Sequence, residues 1–272
     1  MITASIVLYH TSSTLLIDVI RCLNDSPIGT IYVLDNSDDT DLKEIALSLS
    51  AKVVYIHGHG NVGYGKAHNI ALRKAMDQNS QYHLVLNPDI FFDNGTIESI
   101  LQFMDSHEDI GLCMPDVVYP DGREQYLCKL LPTPMDMFGR RLLPQKWMTR
   151  RNHRFEMRET GYKKTRNIPL LSGCFMFVRM SVIKEVGLFD ERFFMYFEDY
   201  DLTRRIHQVS KTVFYPEVKI VHNHAHEHRN SIILLKISIQ NAIRYFNKWG
   251  WICDKEREIV NRQAFSNDNI ID

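Results

Sequence analysis

Ala4-Ser-Ile-Val-Leu-Tyr9 begins the stretch of sequence that decides the fold. This short apolar run breaks at the polar residues 10–13, and a segment with helical spacing of apolar residues follows it. The same alternation continues through the apolar runs Ile31–Leu34, Val53–Ile56 and Tyr82–Leu86. Strand-like and helical segments that alternate over short links predict an α/β fold, a parallel sheet with helices on both faces.

Polar, acidic and glycine residues stand where these runs end. Tyr9 ends the first run, Asp35 and Asn36 follow the second, a glycine-rich loop over residues 58–65 follows the third, and Asp89 follows the fourth. Such residues are common in turns. However, ligands of open α/β sheets bind beyond the carboxyl ends of the strands. The series therefore predicts a ligand-binding crevice at this edge of the sheet.

Composition and charge exclude several classes of protein. The 272 residues carry 32 Lys and Arg against 33 Asp and Glu, so no basic excess indicates a nucleic-acid partner. No apolar run approaches the ~18–20 residues that cross a bilayer, and the first residues resemble a strand rather than a signal peptide. The five cysteines are scattered without a Cys-x-x-Cys pair. We therefore expect a cytoplasmic protein without a disulfide framework or a zinc knuckle.

The glycine-rich loop nearly matches a phosphate-binding pattern. Gly60-Asn-Val-Gly-Tyr-Gly65-Lys-Ala67 follows G-x-x-x-x-G-K-[ST] up to its last position, where Ala67 has no hydroxyl for a magnesium ion. A glycine loop that begins a helix still favours a nucleotide, because exposed backbone N–H groups and the helix dipole attract negative charge. A flexible link with glycines at a helix start is the alternative interpretation.

Two acidic segments are candidates for chemistry. Asn87-Pro-Asp89 places one carboxylate at the tip of a strand, where a hard divalent cation that bridges a diphosphate needs oxygen ligands. The same tripeptide is also a common turn. Glu198-Asp-Tyr-Asp201 follows several aromatic residues, and a partly desolvated carboxylate suits general-base work. Helix capping is the alternative explanation for one or two of these acids.

Two further segments have an open interpretation. Histidines alternate at positions 222, 224, 226 and 228, as in an exposed polar edge, although one imidazole could complete a metal site. Residues 139–166 hold ten Lys and Arg against two acids, which is typical of a solvated face. This basic segment would also attract a phosphate-bearing acceptor or an anionic membrane surface.

Taken in order, these motifs resemble family 2 glycosyltransferases, particularly the bacterial rhamnosyltransferase-like branch. The resemblance covers about residues 5 to 224. Each matching segment is weak alone, whereas the ordered series is specific. The segments are Ile6–Tyr9, Val33–Ser37, Asn61–Asn69, Leu86–Asp89, Ser172-Gly173, Gly187–Glu191, Phe197–Leu202 and Val221-His222.

The resemblance implies a glycosyltransferase A fold, that is, a Rossmann-like mixed sheet with helices on both faces. It implies a catalytic domain over residues 1–229, with a nucleotide-binding half over about 1–110 and an acceptor half over about 111–229, and a C-terminal helical extension over 230–272. The implied reaction is an inverting transfer of a sugar, rhamnose being the first choice, in bacterial surface polysaccharide synthesis. The donor would be dTDP-rhamnose or a UDP-sugar, and the acceptor a saccharide.

The resemblance also assigns roles to individual residues. Asp199 would be the catalytic base, with Glu198 in support. Mn²⁺ or Mg²⁺ would be held by Asp89 and by His222 or His224. Asn87 replaces the first acid of the family's metal motif, which leaves a single carboxylate there. The residues expected to bind the nucleotide-diphosphate donor are Tyr9, Asp35, Asn61, Gly63, Gly65, Lys66, Asn69 and Asn87.

Other classes of function stay open at this point. A P-loop kinase or ATPase would bind ATP through Lys66, which Ala67 argues against. A non-catalytic module that binds sugar nucleotides or glycans would need Asp35 but not Asp199. A nucleotidyltransferase would usually carry a basic glycine-rich segment near the first strand, where residues 10–14 have none. For the transferase, a lipid-linked acceptor and peripheral contact with the inner face of the plasma membrane are expected, through the basic segment and the aromatic residues near Trp249.

Overall fold

The structure is a computed structural model that describes residues 1–139, 143–223 and 232–271. Nine strands of this part form one mixed sheet. The strands are β1 (Ile2–Leu8), β2 (Thr30–Asp35), β3 (Val53–Ile56), β4 (Tyr82–Leu86), β5 (Ile90–Phe91), β6 (Ile110–Val118), β7 (Arg166–Asn167), β8 (Phe175–Arg179) and β9 (Lys211–His222).

Helices connect these strands. They are α1 (Ser13–Asn24), α2 (Lys43–Leu49), α3 (Tyr64–Asp77), α4 (Thr96–Ser106), α5 (Gln145–Phe155), α6 (Met180–Val186), α7 (Glu198–Val209), α8 (Ile232–Trp249) and α9 (Lys255–Gln263). A π-helical turn over Met135–Gly139 and 3₁₀ turns over Arg158–Thr160 and Asn267–Asn269 complete the described structure.

The strands are arranged in the order β3-β2-β1-β4-β8-β6-β9-β5, and β7 pairs with β9. The first four are parallel, as the alternating sequence predicts. β8 is antiparallel to both β4 and β6, which makes the sheet mixed. The predicted fold class, a Rossmann-like mixed sheet with helices, is therefore confirmed.

The side chains of β1 show how the layers are built. Successive residues of a strand point to opposite faces of the sheet. Ile6 and Leu8 belong to the large apolar core that includes Leu16 of α1, whereas Val7 belongs to a second core with Ala67 and Ala71 of α3. The face toward α3 also carries a polar layer, in which Ser5 Oγ lies 2.7 Å from ring nitrogens of both His68 and His83.

Two segments differ from the sequence prediction. The apolar residues of Leu170–Arg179 predict a strand over this whole range, but the strand begins only at Phe175, because residues 172–174 turn toward α7. In the basic segment, the sequence predicts the solvated face but not the helix α5. Met148 and Phe155 of α5 are buried while its basic residues face outward. The prediction from charge overlooked the apolar positions that hold this helix to the protein.

Helix α8, which follows the last strand of the sheet, packs on the segment that precedes α7. Phe193 and Phe197 form an apolar cluster with Ala242, Tyr245 and Phe246 of α8. Within the described ranges, no helix is long and apolar enough to cross a membrane.

Candidate active site

Asp89 and His222 meet at the carboxyl end of β4. The Asn87-Pro88-Asp89 turn leads into β5, which pairs with the end of β9 so that Ile90 lies opposite His222. Asp89 Oδ1 is 3.3 Å from His222 Nε2, and these side chains are 20% and 7% exposed. Of the two histidines expected to bind metal, His222 therefore lies beside Asp89, and His224 lies outside the described residues.

Gln125 holds His222 from the side opposite Asp89. Its Oε1 lies 2.8 Å from His222 Nδ1, and its Nε2 donates to the backbone carbonyl of His222 over 2.7 Å. Sequence reasoning did not identify Gln125, because a single glutamine after a turn has no recognisable pattern.

The Asp89–His222 pair fits a divalent cation. An oxygen and a nitrogen that both present lone pairs at 3.3 Å repel each other unless a proton or a cation lies between them. Bonds of about 2.1 Å at right angles, as around Mg²⁺, place neighbouring ligand atoms about 3 Å apart. Among the residues that the structure describes, no group of three or more His, Cys, Asp or Glu side chains could hold a metal ion. The described residues thus offer a pair of ligands rather than a complete cage.

Glu198 and Asp199 begin helix α7. Asp199 Oδ2 accepts the backbone N–H of Gly173 at 2.9 Å, and its Oδ1 accepts the N–H of Tyr200 at 2.9 Å. Burial raises the pKa of Asp199, and these N–H groups partly offset the rise. Asp199 is thus a fixed carboxylate that is more basic than an exposed one.

Glu198 has a different environment from its neighbour. Its side chain is 5% exposed, and its buried Oε2 has no hydrogen-bond partner among the described residues. Burial, together with the nearby charge of Asp199, raises the pKa of Glu198 well above its usual range. The protonated form of Glu198 is therefore favoured more than it is in an exposed glutamate.

Tyr64 connects the two acidic regions. Its hydroxyl lies 2.9 Å from Asn87 Oδ1 and 2.7 Å from the carbonyl oxygen of Gly173. Asn87 belongs to the turn that carries Asp89, and Gly173 donates to Asp199. The pair Asp89–His222 and the base candidate Asp199 thus belong to one site. The sequence shows Tyr64 only as a member of the glycine-rich loop.

The turn before α7 has an unusual backbone. Tyr196 and Phe197 have φ of 69° and 71°, a left-handed conformation that is costly for residues with a side chain. Asn241 of α8, fully buried, donates from Nδ2 to the carbonyl oxygen of Met195 at 2.8 Å. Helix α8 therefore holds the turn that delivers Glu198 and Asp199.

Asp201, the third acid of the motif, stabilises the fold. It is fully buried. Its Oδ1 accepts from Trp249 Nε1 at 2.9 Å and lies 2.6 Å from Lys248 Nζ, while Oδ2 accepts from Arg205 Nε at 2.9 Å. All these contacts join α7 to itself or to α8.

The predicted nucleoside residues lie at the ends of β1 and β2. Tyr9 is 52% exposed, whereas Asp35 is fully buried. Asp35 Oδ1 accepts the N–H of Ser37 at 2.9 Å, and its Oδ2 accepts the hydroxyl of Tyr55. Tyr55, which the sequence did not indicate, thus shares the Asp35 carboxylate, which is expected to bind the donor.

The glycine-rich loop packs against the segment before α7. A Cβ on Gly63 would lie 2.2 Å from the carbonyl oxygen of Phe194, and one on Gly65 would lie 2.9 Å from Phe189 Cβ. Close packing therefore requires both glycines. Asn61 is exposed at the start of this loop and is joined to Asn36 by a 3.4 Å hydrogen bond.

Lys66 and Asn69 both contact Glu191, in the segment before α7. Lys66 Nζ lies 3.7 Å from Glu191 Oε2. Asn69 is fully buried, donates to the carbonyl oxygen of Phe189 at 2.9 Å and accepts its N–H at 3.0 Å. The structure thus brings most of the expected residues to one edge and gives Asn69 a packing role.

Comparison with known proteins decides the family. The sequence profile described as Glycosyl transferase family 2 matches residues 6–187. The chain belongs to this family. The match leaves the kinase and binding-module alternatives unsupported.

Curated relatives agree with this assignment. The chain is 26% identical over 206 residues to N-acetylglucosaminyl-diphospho-decaprenol L-rhamnosyltransferase of Mycobacterium tuberculosis, covering 72% of this chain and 67% of the relative. It is 29% identical over 210 residues to rhamnosyltransferase WbbL of Escherichia coli, covering 74% and 75% respectively. The chain is thus a glycosyltransferase with rhamnosyltransferase relatives.

A solved structure shows the same fold. GalNAc-T7, crystallised with UDP, GalNAc and Mn²⁺, superposes with a TM-score of 0.66 at 15% identity. The superposition covers 95% of this chain and 50% of that protein, so this chain spans half the length of GalNAc-T7. The glycosyltransferase A fold is therefore confirmed.

Proposed function

We propose that this protein is an inverting glycosyltransferase in bacterial surface polysaccharide synthesis. It moves a sugar, with rhamnose as the first candidate, from a nucleotide-diphosphate donor to a saccharide hydroxyl. The observation that carries the proposal is the connection, through Tyr64, between the Asp89–His222 pair and Asp199, which two backbone N–H groups orient. The names of the curated relatives support rhamnose as the sugar. Residues 1–229 would form the catalytic domain, and residues 230–272 its helical extension.

The reaction follows from the roles of these groups. The acceptor oxygen forms a bond to the anomeric carbon from the face opposite the leaving group. The bond between this carbon and the diphosphate oxygen breaks, and the nucleoside diphosphate leaves with the electron pair. The hydroxyl proton passes to Asp199. General-base catalysis requires this carboxylate to lie within hydrogen-bond reach of the acceptor hydroxyl. Attack from the opposite face inverts the configuration of the sugar.

Asp89 and His222 would hold Mn²⁺ or Mg²⁺ at the donor diphosphate. When bound, a divalent cation would neutralise charge on the leaving diphosphate. Because the described residues present a pair of ligands, diphosphate oxygens would supply others, and the metal would bind mainly together with the donor. The Mn²⁺ in the GalNAc-T7 structure supports this assignment.

The donor nucleotide would lie along the ends of β1 to β4. Asp35 would accept the ring N–H of a pyrimidine base, which favours dTDP-rhamnose and then UDP-sugars. Tyr9, Asn61 and the loop with Gly63, Gly65 and Lys66 would border it, with Asn87 beside the diphosphate. For Asn69, the proposed contribution is to hold this loop in place through Phe189.

We also propose a lipid-linked acceptor and peripheral membrane contact. The name of the mycobacterial relative includes a diphospho-decaprenol group. Here, Trp147 of the basic helix α5 is 67% exposed, and Ile233 of α8 is 70% exposed. Basic and apolar side chains that are exposed together suit an anionic lipid surface.

A thermal-shift screen tests this function. A ligand that binds the native state raises the melting temperature. We expect dTDP-rhamnose with Mn²⁺ to give the largest rise, followed by UDP-sugars, and each rise to shrink without metal. Transfer by the protein after exhaustive chelation would contradict the metal role. A product that retains the anomeric configuration of the donor would contradict inversion.

A further inference from the structure

We propose that Gln125 is a positioning residue that fixes the ring tautomer of His222 and so directs its Nε2 lone pair toward the cation. The inference rests on the proposed function, in which Asp89 and His222 hold a metal. It assigns the orientation of a ligand to a residue outside the matched sequence motifs.

The orientation of the Gln125 amide follows from its backbone partners. Its Nε2 lies 2.7 Å from the carbonyl oxygen of His222 and 3.4 Å from that of Val118. Carbonyl oxygens only accept hydrogen bonds, so the NH₂ group must face them and Oε1 must face the imidazole. Oε1 is an acceptor as well. His222 Nδ1, at 2.8 Å, must therefore carry the proton.

A proton on Nδ1 of the neutral ring leaves the lone pair on Nε2. Nε2 faces Asp89 Oδ1 at 3.3 Å and the donor Asn87 Nδ2 at 3.4 Å. Without Gln125, the carboxylate of Asp89 would attract the ring proton to Nε2. The lone pair needed for the metal would then be blocked. Gln125 prevents this competition before any cation arrives.

The backbone around Gln125 is itself fixed. Gln125 N donates to the carbonyl oxygen of Val117 at 3.0 Å, and Val118 forms a bridge with Glu124. Val118 of β6 pairs with Val221 of β9, next to His222. The amide and the imidazole are therefore held by neighbouring strands, as the outer-shell partner of a metal-binding histidine should be.

The first measurement is the tautomer of His222 in the metal-free protein. Long-range ¹H–¹⁵N correlation spectra distinguish Nδ1–H from Nε2–H rings, and the spectrum of His222→Asn identifies the signal. We expect Nδ1–H in the wild type and a shift toward Nε2–H in Gln125→Ala. A wild-type ring protonated on Nε2 would overturn the inference.

The second measurement is Mn²⁺ affinity in the presence of UDP, with free Mn²⁺ counted by electron paramagnetic resonance. We expect Gln125→Ala to weaken binding by roughly 10- to 100-fold, as for other outer-shell partners. Gln125→Glu keeps the acceptor for Nδ1–H but loses both donated bonds, and it should restore most of the affinity. Gln102→Ala, an exposed glutamine on α4, is the matched control.

The outcomes separate this inference from the proposed function. If the wild-type protein together with UDP binds no more Mn²⁺ than UDP alone does, the metal role is overturned, and the inference with it. If the wild type binds Mn²⁺ and Gln125→Ala binds it equally well, only the role of Gln125 is overturned. If Gln125→Glu is as weak as Gln125→Ala, the donated backbone bonds matter instead, and the tautomer argument is wrong.

Discussion

The backbone N–H of Gly173 donates to Asp199 Oδ2 over 2.9 Å, and a Cβ on Gly173 would lie 3.0 Å from the Cβ of Asp199. The contact therefore depends on a glycine at position 173, because a side chain there would push the carboxylate away. Tyr64 reaches the carbonyl oxygen of the same glycine. One residue thus fixes the base candidate and connects it to the turn that carries Asp89.

Asp199→Asn keeps the shape of the side chain and removes its basicity. We expect turnover to fall by roughly 10²–10⁴-fold, the usual contribution of general acid–base catalysis, with little change in donor affinity. Glu198→Gln should cost less, because Glu198 has the supporting role and Asp199 that of the base. Steady-state kinetics measure both, with the exposed Asp121→Asn as control. If Glu198→Gln loses more turnover than Asp199→Asn, the roles of the two residues are exchanged. If both variants are fully active, these acids only cap helix α7.

Glu198→Gln should raise the free energy of unfolding relative to the wild type. The raised pKa of Glu198 means that the folded state binds this proton more tightly than the unfolded state does. Wild-type stability from this group is present below its ordinary pKa of 4.5 and is lost as pH rises toward the folded value. The advantage of the variant should thus grow with pH above about 4.5 in denaturant titrations. A difference between variant and wild type that shrinks as pH rises would contradict the raised pKa of Glu198.

Asp35→Ala tests the nucleoside site. Losing a hydrogen bond to a charged acceptor costs about 1.5–3 kcal/mol, so donor affinity should fall roughly 10- to 100-fold by calorimetry. Tyr55→Phe is the matched control, because it removes the hydroxyl on Asp35 and keeps the carboxylate. If the donor affinity of Asp35→Ala is unchanged, Asp35 only forms the structural hydrogen bonds with Ser37 and Tyr55 and does not bind the base.

Asn241→Leu should lower turnover more than donor affinity. It leaves the buried carbonyl oxygen of Met195 without its donor, which costs about 1–3 kcal/mol, and it releases the left-handed turn before Glu198. Kinetics together with the melting temperature provide the measurement. Gln240→Ala, at an exposed position of the same helix, is the control. A variant that melts earlier but turns over normally would give Asn241 a role in stability alone.

Trp147→Ser should weaken binding to anionic vesicles, measured by co-sedimentation at low salt. Trp147 is 67% exposed on the basic helix α5, and its ring would enter the interface. Attraction of the wild type should decrease as salt rises, because exposed charges are screened. Val54→Ser, a partly exposed apolar residue on strand β3, should bind like the wild type. If the wild-type protein does not co-sediment with anionic vesicles at low salt, the proposed membrane contact is contradicted.

Periodicity and motif order account for much of what the sequence predicts. The four parallel strands have clear apolar runs between helical segments, and the fold follows from them. Asp89, Glu198 and Asp199 stand in recognisable motifs. In contrast, β5 and β7 are two residues long, and such a length shows no periodicity.

Contacts between distant segments account for what the sequence does not predict. Asn69 belongs to the glycine-loop motif, yet its partner Phe189 is 120 residues away. Gln125 and Asn241 are single polar residues whose partners, His222 and Met195, become neighbours only when the sheet and α8 are assembled. The sequence shows the glycines of the glycine-rich loop. It does not show whether they are needed for close approach of a phosphate or for packing against Phe194.

The bond between Asn241 and the Met195–Tyr196 turn spans about 45 positions of the chain. A ribosome therefore synthesises Glu198 and Asp199 well before the helix that holds their turn has emerged. We expect stalled nascent chains that expose residues up to 231 to transfer no sugar, and chains that expose residues up to 263 to be active. Because activity would depend on helix α8, an incompletely synthesised chain would not consume nucleotide sugar in the cell.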